Sequence, residues 1–288
     1  MDHPSLRGLA AALLLATLAL SSAACAASPA TTPAPDTSNP TTAPNTPSQQ
    51  VSLPPAGALF DYQLGGAYPP PPGVEIVARD RAAAPAHGMY NICYINAFQT
   101  QPGELDTWPA DLLLRDADGD PIHDPDWPDE VIVDTRQPDK VAAIVGPWID
   151  GCAAAGYNAV EFDNLDTYTR TGDLLSRDHN LALARLLVDR AHDDGLAAGQ
   201  KNAAEDAALL HEQAGFDFAI TEECVAYDEC GAYTDVYGEH VLAIEYPDTL
   251  TDPWSEVCAR TDLPASLILR DRDLVTPDRK DYVFEICR

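Results

Sequence analysis

The chain has 288 residues, with 17 Lys and Arg against 46 Asp and Glu, and a formal charge of −29. A surface this acidic repels nucleic acid and anionic lipid headgroups and attracts a polycation, although solubility or a high-salt adaptation explains the same global charge. The membrane is then a partner only through an anchor of another kind.

The N-terminus carries one basic residue, Arg7, an apolar run from Leu9 to Leu20, and then Ser21-Ser22-Ala23-Ala24-Cys25. This order describes a secretory signal whose core is too short to span a membrane as a mature helix. The small residues before Cys25 also resemble a bacterial lipoprotein processing site, which predicts removal of residues 1–24 and lipidation of Cys25, with extracellular or cell-surface placement. Ordinary cleavage near Ala24 to Ala27 is the alternative. Residues 25–57 are rich in Pro, Thr and Ser with Asp36 as the only charge, a composition that predicts an extended linker. The remaining segment, 58–288, is close to the roughly 250 residues of a single α/β barrel.

Setting Cys25 aside, six of the seven cysteines remain: Cys93, Cys152, Cys224, Cys230, Cys258 and Cys287. An even set in an exported domain predicts three disulfides, with the pairing open; Cys224 and Cys230 are near enough in sequence to close a small loop. There is no CxxC pair and no partnered histidine, so a metal is not expected.

Apolar strands alternate with amphipathic helices through the rest of the chain. The strands read as Leu59–Leu64, Glu75–Ala78, Tyr90–Ile95, Asn158–Phe162, Ala197–Gln200, Phe216–Thr221, Val241–Ile244 and Ser266–Leu269, and the helices as Val141–Ala155, His179–Asp194, Ala204–Ala214 and Pro253–Arg260. Asp178 and Asn202 suit N-caps, and Gly156, Gly195 and Gly215 suit the positions just past a helix end. Repeated helix, glycine, strand and polar tip implies parallel strands, and eight of them predict an α/β fold of the (β/α)8 barrel type. Val131–Val133 and Tyr282–Ile286 are extra short strands. Gly65-Gly66 leads into Tyr68 and a run of prolines, not into a helix, so no nucleotide cofactor is expected. Asp116-Ala117-Asp118-Gly119-Asp120 lacks the glutamate that closes a calcium loop and reads as an acidic turn.

The chemistry gathers at the strand tips. Asp61, Tyr62 and Gln63 lie on the first strand, Asp80 ends the second, and Asn96 follows the third. Glu161-Phe162-Asp163-Asn164-Leu165-Asp166 ends the fourth, Lys201-Asn202 the fifth, Glu222-Glu223 the sixth and Glu245-Tyr246 the seventh. If the strands are parallel, these tips surround one mouth, where barrel enzymes keep their catalytic side chains. An unpaired buried carboxylate costs several kcal/mol or takes a proton, so carboxylates at two separate strand ends are hard to explain as packing. They match the acid/base or nucleophile pair that glycoside hydrolysis requires.

Phe60-Asp61-Tyr62-Gln63-Leu64, Arg79-Asp80-Arg81, Cys93-Tyr94-Ile95, Glu161 to Asp166, Lys201-Asn202 and Glu222-Glu223-Cys224 together resemble glycoside hydrolase family 114, the endo-α-1,4-polygalactosaminidase group with spherulin-4-like relatives. The resemblance runs from about Leu59 to the C-terminus, close to the length of one barrel. It implies a (β/α)8 enzyme that cuts α-1,4-linked, cationic galactosamine-containing polysaccharide without a cofactor. It also implies Asp163 as nucleophile and Glu222 as general acid/base. Glu223 stands where the family often has an amide, which leaves two adjacent glutamates for one role. Lys201 is expected between the pair, keeping Asp163 ionised while Glu222 holds a proton. Asp61, Tyr62, Gln63, Asp80, Asn96, Asn164, Asp166, Lys201, Asn202 and Glu245 are the candidate substrate-binding residues. Asp80 and Glu245 suit a galactosamine ammonium; Asn164 and Asp166 suit sugar hydroxyls or a loop cap. Tyr62, Tyr94, Phe98, Trp127, Tyr168 and Tyr246 are candidates for sugar stacking or for the core. The competing reading is a non-catalytic carbohydrate-binding or matrix protein on the same barrel.

Overall fold

The computed structural model describes residues 51–287; the signal sequence, Cys25 and most of the linker lie outside the described residues. Eight strands follow one another in space as they do in the chain. They are β1 (Phe60–Gln63), β2 (Ile76–Asp80), β3 (Tyr90–Asn96), β4 (Ala159–Asp163), β5 (Ala197–Lys201), β6 (Phe218–Glu222), β7 (Val241–Glu245) and β8 (Ser266–Arg270). Each pairs in parallel with the one before it. A ninth, β9 (Phe284–Ile286), lies antiparallel on the remaining edge of β8. The architecture is the expected (β/α)8 barrel. Its first two crossovers are loops, and α1 (Pro138–Ala155), α2 (Arg177–Asp193), α3 (Ala207–Leu209, prolonged by a π-turn at Leu210–Ala214), α4 (Cys230–Tyr237) and α5 (Trp254–Val257) serve the other five.

Because β9 takes the edge of β8, the seam to β1 closes through side chains. Ser266 Oγ donates to the Ala58 carbonyl at 2.7 Å. Arg270, fully buried, donates to Asp61 at 3.1 Å and to the Tyr62 carbonyl.

The period-2 pattern of the strands sorts two cores. Phe60, Tyr62, Ile76, Ala78, Ile92, Ala159, Ala197, Phe218, Ile220, Leu242, Ile244 and Ile268 fill the barrel interior. Alternate residues such as Cys93, Val160, Ala198, Ala219 and Ala243 pack outward against the helices. On α1, Val141, Val145, Ile149 and Cys152 recur at helical spacing and form its buried face. Gly199 on β5 is required by space: a Cβ there would lie 2.6 Å from the ring of Phe218.

Several local expectations change. The N-cap of α2 is Ser176, whose hydroxyl accepts from the His179 backbone while the His179 ring accepts from the Ser176 N–H. Asp178 sits inside the first turn, where its charge suits the helix dipole. Asn202 caps no helix, because its amide is engaged by Glu222. Helix α4 has no counterpart among the expected elements; its buried Tyr233 and Tyr237, four residues apart, are the signal it leaves in the sequence. Val131–Val133 forms isolated bridges to Gln99, Leu113 and His123 within a long insertion between β3 and α1. Residues 51–57 are docked: Val51 packs on the inner core, Ser52 O accepts from Tyr90 and Pro54 O faces His240.

The three disulfides are Cys93–Cys152, Cys224–Cys230 and Cys258–Cys287. The first ties β3 to α1, the second closes the small loop ahead of α4, and the third fixes the C-terminal segment beyond β9.

Candidate active site

Strand parity decides which polar tips face the mouth. Ala159, Ala197, Phe218, Ile92 and Leu242 point inward. Stepping by two from each reaches Glu161 and Asp163, Lys201, Glu222, Tyr94 and Asn96, and Tyr246. All of these line the upper interior of the barrel. Asp61, Gln63 and Glu245 have the opposite parity.

Lys201 is the hub of the inner set. Its side chain is 2 % exposed, and Nζ lies 3.0 Å from Glu222, 3.6 Å from Asp163 and 3.7 Å from Glu161. Each carboxylate also receives one tyrosine hydroxyl: Tyr62 donates to Glu161 at 2.6 Å, Tyr94 to Asp163 at 2.7 Å, and Tyr246 to Glu222. Burial and the adjacent carboxylates push all three phenols well above their ordinary range, so they remain neutral donors. Asn202 clasps Glu222 from the next strand, accepting from its backbone N–H at 2.8 Å and donating to its carboxylate at 3.0 Å.

One cation thus serves three carboxylates. Burial pushes the Glu222 carboxyl up, but the Lys201 charge, the Tyr246 hydroxyl and the Asn202 amide together hold it below the ordinary carboxylate range. This differs from the expectation that Glu222 rests protonated, and the reason is geometric: Lys201 sits nearer Glu222 than Asp163. Glu161, fully buried, is pushed up to about 7 by burial, against the pull of Lys201 and Tyr62. Its Oε2 has no hydrogen-bond partner. Burial thus favours the protonated form at Glu161 more than at Glu222.

Glu223, one residue past the strand, has a left-handed backbone with φ of 62° and turns away from the Lys201 group. Its carboxylate pairs with Arg272 at 2.6 Å, and Arg272 also holds Asp248 and lies over the Tyr246 ring at 4.5 Å.

The other candidates divide. Asp80, Asn164 and Asn202 line a cleft of about 440 Å³ together with Tyr94, Asp163, Lys201 and Glu222. Asn96, inward-facing but buried and outside the cleft lining, is in register with Asp163 and bonds Asn164 and Glu130. Asp166 is paired with Arg170 outside the cleft lining. Asp61 and Gln63 belong to the seam, where Arg270, Tyr68 and Arg79 occupy their polar atoms. Tyr62 is buried beneath the floor. Glu245 lies under the β6–α4 loop and accepts the Val225 and Ala226 N–H groups. Among the aromatics, Phe98 is core, Tyr168 bonds Asp206, and Trp127 is 59 % exposed on the cleft rim. A second cleft, of about 610 Å³, meets the first at Glu222, Trp127 and Arg272, and adds the exposed Tyr227. Glu130 and Tyr227 carry no mark in the sequence as tip residues; Glu161 stands within the β4 tip motif without a role of its own there, and the inward parity of β4 is the signal that places it beside Lys201.

Carboxylates gathered around a lysine at the C-terminal end of parallel barrel strands are the kind of arrangement that glycoside hydrolysis uses. The match to known proteins agrees. The chain belongs to glycoside-hydrolase family GH114, whose model matches residues 40–288. No curated protein matches it significantly. Among solved structures it resembles Ega3 of Aspergillus fumigatus, determined in complex with galactosamine, with TM-score 0.67 and 22 % identity over 83 % of this chain and 98 % of that one. It also resembles the glycoside hydrolase domain of PelA from Pseudomonas aeruginosa, with TM-score 0.58 and 16 % identity over 79 % and 97 % of the two chains. At these identities the likeness establishes the shared fold.

Proposed function

We propose that this glycoside hydrolase cuts α-1,4-linked galactosamine-containing polysaccharide internally and with retention, using Asp163 as nucleophile and Glu222 as general acid/base. The observation that carries the reading is the placement of Asp163 and Glu222 on either side of Lys201 at the cleft floor. The two oxygens that face Lys201, 3.0 and 3.6 Å from its nitrogen, are no more than about 6.6 Å apart, a bound that includes the roughly 5–5.5 Å of retaining enzymes. Two clefts meeting at Glu222 suit a polymer running through the site. The galactosamine bound by Ega3 supports an amino sugar as substrate.

In this mechanism Asp163 attacks the anomeric carbon as the glycosidic bond breaks, and Glu222 gives its proton to the departing oxygen. Water then loses a proton to Glu222 and attacks the same carbon, releasing Asp163. A second reading exchanges the two roles, and the lowered Glu222 carboxyl favours it, because an ionised carboxylate is ready to attack but not to donate. The experiment is hydrolysis of galactosaminides with ordinary and activated leaving groups by Asp163→Asn and Glu222→Gln. Recovery of the first step by the activated substrate in Glu222→Gln supports the first assignment, and recovery in Asp163→Asn supports the exchange. Absence of cleavage of any galactosamine polymer by the unaltered enzyme overturns the substrate.

Export belongs to the same reading. Residues 1–24 direct secretion, and Cys25 carries a lipid that holds the enzyme at the cell surface, facing extracellular polysaccharide. A mature chain beginning with acylated Cys25 in mass spectrometry supports this; an unmodified chain starting after Ala27 removes the anchor and leaves export.

A further inference from the structure

The insertion between β3 and α1 brings one turn, Trp127 to Glu130, to the rim of the cleft. Its backbone is fixed at both ends: Glu130 N–H donates to the Trp127 carbonyl at 2.9 Å, and Asp124 N–H to the Glu130 carbonyl at 3.0 Å. The Trp127 ring is exposed and borders both clefts, with no aromatic neighbour in contact among the described residues. The Glu130 side chain enters the first cleft on the Asp163 side. Asn96, the register partner of Asp163, donates to its Oε2 at 2.8 Å and sets its position relative to the nucleophile candidate.

Glu130 differs from the other acidic groups around it. Asp163 and Glu222 share Lys201, and Glu223 and Asp248 share Arg272, whereas Glu130 forms no ion pair among the described residues. Burial pushes its carboxyl up to about 7, with Asp163 and Asp124 adding to the rise and Asn96 and the more distant Arg170, itself paired with Asp124 and Asp166, opposing it. A half-desolvated carboxyl without a direct ion pair gains most from a cation supplied by a ligand. An exposed aromatic face beside it suits the apolar face of a pyranose ring.

We infer that the Trp127–Glu130 turn forms an amino-sugar subsite, in which Trp127 stacks on the sugar ring and Glu130 accepts the ammonium. The inference rests on the proposed galactosamine substrate and makes Glu130 the residue that distinguishes a free amine from an acetamide. An acetamide carries no charge and places a methyl group against the carboxyl, so acetylation removes the attraction and adds a desolvation cost.

The test is steady-state kinetics on deacetylated and N-acetylated galactosamine oligomers, with melting temperature recorded for each variant. Glu130→Gln keeps the shape and one hydrogen-bonding oxygen but removes the charge. It is expected to raise KM for the deacetylated substrate by about ten- to hundredfold with kcat little changed, and to leave the acetylated substrate unaffected. Glu130→Asp, which keeps the charge, is expected to retain the preference for free amine. Trp127→Ala is expected to raise KM for both substrates alike. Equal losses on both substrates in Glu130→Gln, or none on either, overturn the inference while the enzyme's action on galactosamine polymer stands. A wild-type enzyme inactive on every galactosamine substrate overturns the function itself.

Discussion

Two buried charge networks lie at the barrel's upper end, and they are built to different rules. At the seam, Arg270 pairs with Asp61 and Asp271, and Arg79 lies beside them bonded to Gln63 and to the Tyr68 and Ala84 carbonyls, so two cations accompany two anions. Gln63, Tyr68 and main-chain carbonyls complete the bonding, and none of their side-chain polar atoms is left buried without a partner. At the mouth, one lysine serves Glu161, Asp163 and Glu222, and Glu161 Oε2 has no partner. The seam network replaces a missing strand ladder and holds the barrel closed. The mouth network leaves excess negative charge where the proposed mechanism would form an electron-deficient anomeric carbon. Clustered charge therefore serves stability at the seam and is left unbalanced at the mouth; the balance of charge and the satisfaction of hydrogen bonds make the difference.

The largest expected effect breaks the mouth. Asp163→Asn and Glu222→Gln should each lower turnover on the natural polymer by about 10³-fold or more while the enzyme stays folded, with a smaller loss of melting temperature than a seam variant, read by reducing-end release and thermal unfolding. A loss of stability comparable to that of a seam variant would erase the contrast.

The seam should behave in the opposite way. Asp61→Asn or Arg270→Met alone leaves a buried charge without its partner and is expected to cost about 3–5 kcal/mol in denaturant unfolding. The double replacement should recover part of that loss, which would show that pairing, not charge as such, holds the seam.

A third expectation concerns stability against pH. Burial raises Glu161, Glu130 and Glu245 from an ordinary value of 4.5 to about 7 in the folded protein. Between those values the native state binds more protons than the unfolded chain, so these three contribute stability that is present below about pH 4.5 and lost as pH rises through about 7. Glu222, lowered, contributes in the opposite direction, losing its stabilisation only as pH falls through its folded value. Unfolding free energy measured from pH 5 to 8 should therefore fall, and Glu161→Gln should flatten part of the slope. A stability that rises across that window would contradict the buried-proton assignment.

The smallest effect sharpens the view of Glu222. Tyr246→Phe removes a donor that favours the ionised carboxylate, so the limb of the kcat/KM profile governed by Glu222 should move to higher pH by up to about one unit. An unmoved profile would mean that the hydroxyl contributes nothing to the acidity of Glu222.

Much of the fold was legible because it rests on short-range signals. Alternating apolar runs marked all eight parallel strands within a few residues, and Gly156, Gly195 and Gly215 do take left-handed backbone beyond their helices, with φ of 93°, 78° and 87°. Helix α4 escaped because eight residues containing a glycine and little charge patterning carry a weak periodic signal. Proximity in sequence overstated the site: Asp61, Gln63 and Glu245 share the tips of their strands with inward residues but lie on the other face of the pleat.

The sequence by itself determined the strands, the direction in which polar residues gather, and through a period of two the side of the sheet each faces. Those properties depend on neighbours a few residues away. The tertiary structure alone decided that Cys93 meets Cys152, and that Lys201 sits nearer Glu222 than Asp163 and so lowers the carboxyl expected to keep its proton. It also carried Glu130 and Trp127 to the cleft from an insertion whose sequence reads as a loop. Charge state and pairing are set by distances through space, and those distances exist only once the barrel has closed.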